Sequence, residues 1–285
     1  MTMDPTRAKC QPAAILGYAS PARRTIGLAL GAWLAAATPT QAQEPTTERP
    51  PEDRWTFTIA PYLWATSLDG KTSVGGVEAD VDLSFGDILD DLAMGGMLLV
   101  DVQRGRFGIA VNGVFARLEP DGEVGPIQLD VTNETTWIGV APYYRAVEWT
   151  YRESASGRPM RLVVEPLAGI RYTNLRVEID GSGPRGNGRQ VDQREGWVDP
   201  IVGSRFILDL ADRWTLSGEA DIGGFGVGSD LAWNVQAFLG YKTSLFGRPL
   251  TLAAGYRALS QDYENGRFEW DVTTQGPILG VVMRF

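Results

Sequence analysis

The chain has 285 residues, of which 44% are hydrophobic and 21% charged, and it contains 34 Gly, a single Cys and no His. This length can bury a core, while the polarity excludes a helical membrane bundle. Without His, the chain cannot build a Ser-His-Asp triad, a Cys-His pair or a His-ligated zinc or haem site, and one Cys excludes disulfides and thiolate metal sites.

The N-terminal 42 residues have the pattern of a secretory signal peptide. Basic residues precede a continuous apolar stretch over residues 25–37, and small residues follow it up to Ala42. A basic segment, an apolar segment of about a dozen residues and a small-residue site predict export and cleavage after Ala42. Cys10 would leave with this peptide. The next segment, residues 43–53, is rich in Glu, Pro and Thr and is interpreted as a flexible leader, which leaves residues 54–285 as one domain.

The mature chain would be acidic. Cleavage after Ala42 leaves 22 basic and 34 acidic side chains, a net charge of −12. Because nucleic acids are bound through basic side chains that neutralise phosphates, no nucleic-acid partner is expected.

From Arg54 onward, apolar and polar residues alternate with a period of two, which is typical of half-buried β-strands. In one segment, Leu231, Trp233 and Val235 alternate with Asn234 and Gln236. Gly, Asp and Asn connect the segments, as in β-hairpins, and the stretch 86–92 has helical spacing. The twelve predicted strands are 55–67, 73–85, 94–103, 107–118, 125–132, 136–149, 161–179, 197–210, 214–225, 231–243, 250–259 and 267–285.

Two architectures contain many alternating strands: a water-soluble sandwich or lipocalin-like barrel, and a transmembrane barrel. Several segments reach the nine to eleven residues that a tilted strand needs to cross a bilayer. Short connections alternate with longer polar ones, as they do between the periplasmic and outer ends of membrane barrels. Aromatic residues at strand ends are expected to form girdles at the two membrane interfaces. These are Trp55, Trp64, Trp137, Trp149, Trp214, Trp233, Tyr241, Tyr256 and Trp270.

The chain ends in a strand that carries Leu279, Val281, Met283 and the terminal Phe285 at alternate positions. This ending resembles the C-terminal signal by which the bacterial outer-membrane assembly machinery recognises its clients. The whole mature chain resembles bacterial outer-membrane β-barrel proteins of the small porin-like kind, and the segments 84–89 and 221–230 are similar to those of an uncharacterised family of that class. The resemblance implies the fold, the location, and outer-membrane lipids and lipopolysaccharide as partners. It carries over no catalytic residues.

The predicted fold is therefore an all-β, antiparallel, up-and-down transmembrane barrel of about twelve strands, closed by the C-terminal strand. In the alternative with ten strands, the pieces 73–85 and 125–132 belong to outer loops. Both counts are even and leave both termini in the periplasm. The oligomeric state is left open.

With apolar residues facing lipid, the opposite parity predicts a lumen lined by charges of both signs. These rows could pair and plug a narrow barrel, or line a water-filled passage and set its selectivity; the two interpretations have equal weight here. The alternatives are a periplasmic lipocalin-like binding barrel and a His-free barrel enzyme using the carboxylate pair Glu219 and Asp221. We expect no enzyme, since enzymatic outer-membrane barrels depend on a His that this chain lacks, and no metal, since no calcium-loop spacing is present. We expect no cofactor, since the Gly-rich match at 181–186 lacks the helix that a dinucleotide site needs. The predicted lumen residues are Arg145, Glu165, Arg171, Asp199, Arg205, Glu219, Asp221, Lys242, Arg257, Glu269 and Asp271.

Overall fold

The structure, a computed structural model, describes residues 54–74, 77–119, 121–124, 127–182, 189–245, 247–266 and 268–285. The predicted signal peptide, its cleavage after Ala42 and the leader lie outside these residues, and so do residues 183–188. In the described part of the chain, no helix is long and apolar enough to cross a membrane.

The described residues form fourteen strands and one short helix. The strands are β1 (Trp55–Trp64), β2 (Ser67–Val74), β3 (Val77–Leu83), β4 (Leu92–Arg104), β5 (Phe107–Leu118), β6 (Asp121–Val124), β7 (Ile127–Tyr144), β8 (Val147–Glu153), β9 (Pro159–Ser182), β10 (Arg189–Asp209), β11 (Trp214–Gly224), β12 (Leu231–Leu245), β13 (Arg248–Asn265) and β14 (Phe268–Arg284). The helix α1 (Phe85–Asp90) lies where helical spacing interrupts the alternation, and Ser84 caps it in a capping box with Asp87.

Ten of these strands form a closed antiparallel ring. Its order is β1-β4-β5-β7-β9-β10-β11-β12-β13-β14, and β14 pairs with β1 to complete it. The ten-strand alternative therefore holds, and the count of twelve is wrong. Beyond the ring, β2 continues along β14 where β1 ends, β3 pairs with β2, β6 pairs with β7, and β8 pairs with β9.

Two differences from the predicted boundaries affect the number of strands. The first predicted strand, 55–67, is interrupted after Trp64, and Ser67 already belongs to β2. The predicted strands 125–132 and 136–149 are largely one continuous strand, β7, so that the piece assigned to an outer loop belongs to the ring. The Thr and Asn residues between the two predicted segments are typical of a turn. They are tolerated in β7 because its neighbours β5 and β9 supply the hydrogen-bond partners on both sides.

Both described chain ends lie at the same end of the ring. The amide of Phe285 donates to the carbonyl of Phe57 at 2.8 Å, and the amide of Phe57 donates back at 3.1 Å. This end also holds the tight connections after β4, β10 and β12, and we call it the turn end. The opposite end, where β9, β10, β13 and β14 extend furthest, is called the loop end.

Candidate functional site: the barrel lumen and its two ends

The outer face of the ring carries a continuous apolar band. Each of the ten ring strands contributes at least one large, exposed hydrophobic side chain to it. Such an outward apolar surface is the one that a barrel presents to lipid, whereas a barrel that carries its apolar side chains inward is soluble in water. Representative members in ring order are Ile59, Leu98, Ile109, Ile138, Ile170, Val202, Ile222, Val235, Leu252 and Leu279.

The predicted girdle aromatics separate into two groups. Trp55, Trp149 and Trp214 are 56%, 59% and 42% exposed, respectively, and lie at the turn end. Tyr241 packs against Trp214 with ring centroids 5.0 Å apart. Trp233 pairs with the exposed Ile222, and Tyr256 is itself exposed, so both lie on the outer face.

Trp64, Trp137 and Trp270 do not belong to a girdle. All three are buried inside the barrel, at 4%, 7% and 8% exposure. These residues do lie near strand ends, but they occupy inward-facing positions of the alternation, where they contact each other or other core residues. This corrects the prediction for these three residues.

The structure places nine of the eleven predicted lumen residues on the inner face or at its turn-end mouth. The two exceptions are Glu269 and Asp271, which alternate on β14 with the buried Phe268, Trp270 and Val272 and therefore face outward. The prediction placed charged residues inside and apolar residues outside at every height of the barrel. At the loop end the arrangement is reversed, because Leu175, Trp197, Tyr263, Phe268, Trp270 and Val272 form a hydrophobic core inside the barrel.

Near the turn end, a first group of charged residues crosses the lumen. The fully buried Glu165 accepts hydrogen bonds from Arg145 Nε at 2.9 Å and from Arg205 Nε at 2.5 Å. Arg205 also donates from Nη1 to Asp101 at 2.9 Å, and its guanidinium lies 3.6 Å from the ring centroid of Tyr143. Since Asp101 is on β4 and Arg205 on β10, four ring positions away, this link spans the interior rather than following the wall.

A second group encircles the lumen at mid-height. Arg171 donates from Nη2 to Asp221 at 2.7 Å, and Asn234 donates to the same carboxylate at 2.8 Å. Arg257 donates from Nε to Asn234 at 2.7 Å and lies 4.7 Å from the ring centroid of Trp64. Trp64 then contacts Trp137 on β7, with ring centroids 5.8 Å apart.

Towards the loop end, two further contacts cross the interior. Gln261 on β13 donates from Nε2 to Thr173 on β9 at 2.8 Å and to Asp199 on β10 at 3.0 Å. Above them, Trp197 stacks on Tyr263 with ring centroids 4.1 Å apart. Thr173 and Asp199 are fully buried, so no water-sized space adjoins them.

Asp199 also anchors the turn between β11 and β12. It accepts from the amide of Ser229 at 2.6 Å and from its hydroxyl at 3.0 Å, while Trp197 Nε1 donates to that hydroxyl at 3.0 Å. A side chain at Gly228 would have its Cβ 2.5 Å from the carbonyl oxygen of Val198, so this turn requires glycine for its close approach to β10.

Some lumen residues were not predicted. Asp101, Gln103 and Tyr143 belong to the turn-end group, and Gln261 belongs to the loop-end crossing. Asp101 and Gln103 alternate with Val100 and Val102, so strict alternation contains the signal that would have found them. Gln261 carries no such signal, because its β13 neighbours do not alternate clearly in polarity.

Charge is divided unequally between the two ends. Within residues 54–57, 104–107, 144–161, 209–214, 242–250 and 282–285, at the turn end, there are 11 basic and 4 acidic side chains. Among loop-end residues with described side chains, within 67–91, 117–119, 132–136, 174–178, 192–197, 228–231 and 261–271, there are 4 basic and 16 acidic ones. The protein is thus a strong electrostatic dipole along the barrel axis.

The pKa values of carboxylates at the loop end shift in different directions according to their partners. A hydrogen bond from the Arg176 guanidinium lowers the pKa of Asp192. Partial burial raises the pKa of Asp262, and repulsion from Asp271, Asp230 and Glu264 adds to the increase. Among the described residues, no group of three or more Asp, Glu, Cys or His side chains is arranged to hold a metal ion.

Comparisons with known proteins give neighbours in fold. No family model and no curated protein matches the chain. Solved structures that match include the outer-membrane protease OmpT of Escherichia coli, at 9% identity and a TM-score of 0.43, covering 81% of this chain and 97% of that one. Neisserial surface protein A matches at 14% identity and a TM-score of 0.32, covering 82% and 100%. Ail, the attachment invasion locus protein of Yersinia pestis, matches at 9% identity and a TM-score of 0.31, covering 82% and 99%.

All of these neighbours are bacterial outer-membrane β-barrels. The closed antiparallel ring and its apolar outer band are those of a transmembrane β-barrel. No activity follows from similarities of this size.

Proposed function

We propose that the protein is an outer-membrane barrel with a closed lumen, which acts as a structural and surface-exposed membrane protein rather than as a diffusion pore. The observation that carries this proposal is the set of side-chain contacts that cross the lumen at successive heights, from Arg205–Asp101 at the turn end to Trp197–Tyr263 near the loop end. A conducting pore needs a continuous column of water, and the full burial of Glu165, Thr173 and Asp199 argues against such a column beside β9 and β10. Ten strands are also close to the eight at which side chains fill a barrel.

The distribution of polarity favours a membrane protein over the periplasmic lipocalin-like alternative. A soluble binding barrel places an apolar cavity inside and polar residues outside. Here the ring has buried Arg171, Asp221 and Arg257 inside and the apolar band outside. The short turns and both described chain ends then lie in the periplasm, and the loop end extends outside the cell.

A non-catalytic role fits the carboxylates of the lumen. Asp221 is held by Arg171 and Asn234, so its oxygens are engaged in the mid-height group. Glu219 lies on the same face of β11, next to a carboxylate that is already paired.

The test is electrical recording from the purified mature protein in planar bilayers. Insertion is checked independently by the shift in gel mobility on heating, which shows that the barrel is folded. We expect no stepwise conductance from the folded, inserted protein over a wide range of voltage. Regular conductance steps from the same preparation would overturn the closed lumen and restore the pore.

A further inference from the structure

The outer rim of the turn end combines exposed arginines with exposed aromatic rings. The rim arginines are Arg54, Arg104, Arg106, Arg152, Arg213 and Arg248. They are distributed around the ring, because they lie at the start of β1, at the connections after β4, β10 and β12, and on β8. The positive charge of the rim is therefore spread around the ring and is not confined to one side of the barrel.

The aromatic rings fix the depth of this rim in a membrane. Trp55, Phe107 and Trp214 are 56%, 69% and 42% exposed, respectively, and each lies within a residue of an arginine. Aromatic residues with an apolar body and a polar edge settle at the headgroup level of a bilayer. Arginines at the same positions consequently reach the plane of the lipid phosphates.

Local contacts hold some of these guanidinium groups against the wall. Arg104 lies 5.5 Å from the ring centroid of Trp55, and Arg213 donates to the Tyr241 hydroxyl at 3.1 Å. The phenol leaves the positive charge of Arg213 in place. The planar guanidinium keeps donors for a phosphate oxygen, for which it is the best-matched side chain.

We propose that the turn-end rim binds anionic phospholipid headgroups of the leaflet that surrounds it. The partner is a lipid rather than a soluble anion because the arginines alternate with rings that need an apolar environment, so the same surface requires both acyl chains and phosphate. The excess of basic over acidic side chains at this end matches a negative membrane surface, and the acidic loop end repels one. Anionic lipids thereby stabilise one orientation of the barrel. This inference rests on the membrane location in the proposed function and is independent of the closed lumen.

The experiment measures which lipid occupies the rim. The protein carrying Trp233→Phe is reconstituted into vesicles of phosphatidylcholine and phosphatidylglycerol, with bromine on the acyl chains of one lipid or the other. In this background the exposed tryptophans within the described residues are those of the turn end, Trp55, Trp149 and Trp214, while the lumen tryptophans are shielded. Relative quenching gives the preference for phosphatidylglycerol over phosphatidylcholine.

The matched variants remove the same charge from opposite ends. The rim variant is R106Q/R213Q/R248Q, and the control is K71Q/R117Q/R194Q at the loop end. We expect a preference of about fivefold for phosphatidylglycerol in the Trp233→Phe protein and the control. The preference should approach one in the rim variant, and also in about 0.5 M NaCl, where the screening length is only a few ångströms.

Three results would overturn the proposal. One is equal quenching by the two lipids without the rim substitutions, and another is a preference that the rim variant retains. The third is loss of the preference when inorganic phosphate replaces chloride at constant ionic strength, which would assign the rim to a soluble phosphate-bearing anion. Conductance recorded with the same proteins tests the closed lumen separately, since none of the substituted residues lies among the lumen contacts.

Discussion

Removal of the Glu165 carboxylate is the most direct test of how the lumen is held closed. Glu165 is fully buried and accepts from two arginines that come from different sides, Arg145 and Arg205. Glu165→Ala leaves Arg205 with Asp101, and Arg145 with the amide oxygen of Gln103, as their remaining acceptors. Deleting one partner of a buried ion pair costs about 3–5 kcal/mol, because the other charge stays buried without compensation.

The matched control removes a carboxylate from an exposed ion pair. Glu119 contacts Arg117 at 2.8 Å, with side chains 48% and 38% exposed. Exposed pairs of this kind contribute about 0–1 kcal/mol, because water screens the attraction and both side chains lose freedom. Glu119→Ala should therefore leave stability almost unchanged, whereas Glu165→Gln should fall between the two, since the amide keeps one acceptor oxygen.

The assay is equilibrium unfolding in urea from lipid vesicles, followed by tryptophan fluorescence and by gel mobility without heating. Unfolding and refolding curves must coincide for the free energies to be compared. The reasoning would be refuted if Glu165→Ala and Glu119→Ala were equally stable within about 1 kcal/mol. That result would mean that water reaches the arginines and that the turn-end group does not seal the lumen.

Three further predictions concern other parts of the barrel. Trp64→Ala should destabilise the folded protein by about 3–5 kcal/mol in the same assay, because it empties the mid-height contact between Arg257 and Trp137; a loss under about 1 kcal/mol, as at an exposed site, would contradict this. Asp262→Asn should stabilise the protein at neutral pH. Because the pKa of Asp262 is raised in the folded state, the stability that this group contributes is lost as the pH increases from its unfolded-state pKa through its folded-state pKa. Unfolding at a series of pH values should show this fall in the unaltered protein but not in the variant. Deletion of Phe285 should lower the amount of barrel assembled in the outer membrane, measured by heat-modifiable protein in membrane fractions, and unchanged amounts would refute the role of the C-terminal signal.

Local alternation was sufficient to predict most of the ring. The segments 214–225 and 231–243 correspond closely to β11 and β12, since apolar and polar residues alternate there without interruption. The predicted number of ring strands was wrong for two reasons. A single strand, β7, contains residues that also suit a turn, and β2 pairs with β14 beyond the ring without belonging to it. Register between distant segments decides both cases, and no local pattern encodes it.

The pairing of side chains within the lumen could not be predicted from the sequence for a related reason. Parity placed Arg205 and Glu165 on the inner face, yet Asp101 on β4, which ties Arg205 across the barrel, is 104 residues away in sequence. Parity identifies which face a side chain occupies. Its height, and hence its partner, depends on the stagger of every strand between the two, which accumulates around the ring.

The failure at Glu269 and Asp271 has a physical cause that also locates the membrane. Along β14, outward residues change from the exposed Leu279 to Asp271 and Glu269, while the buried inward residues Ile278, Val272, Trp270 and Phe268 stay apolar. A barrel wall in lipid places apolar side chains outside, and the same wall in water must place them inside. The reversal between Leu279 and Asp271 therefore marks the level at which β14 leaves the bilayer. Above it, the protein is a water-exposed barrel with a hydrophobic core and an acidic surface, and this is the part that any partner outside the cell would meet.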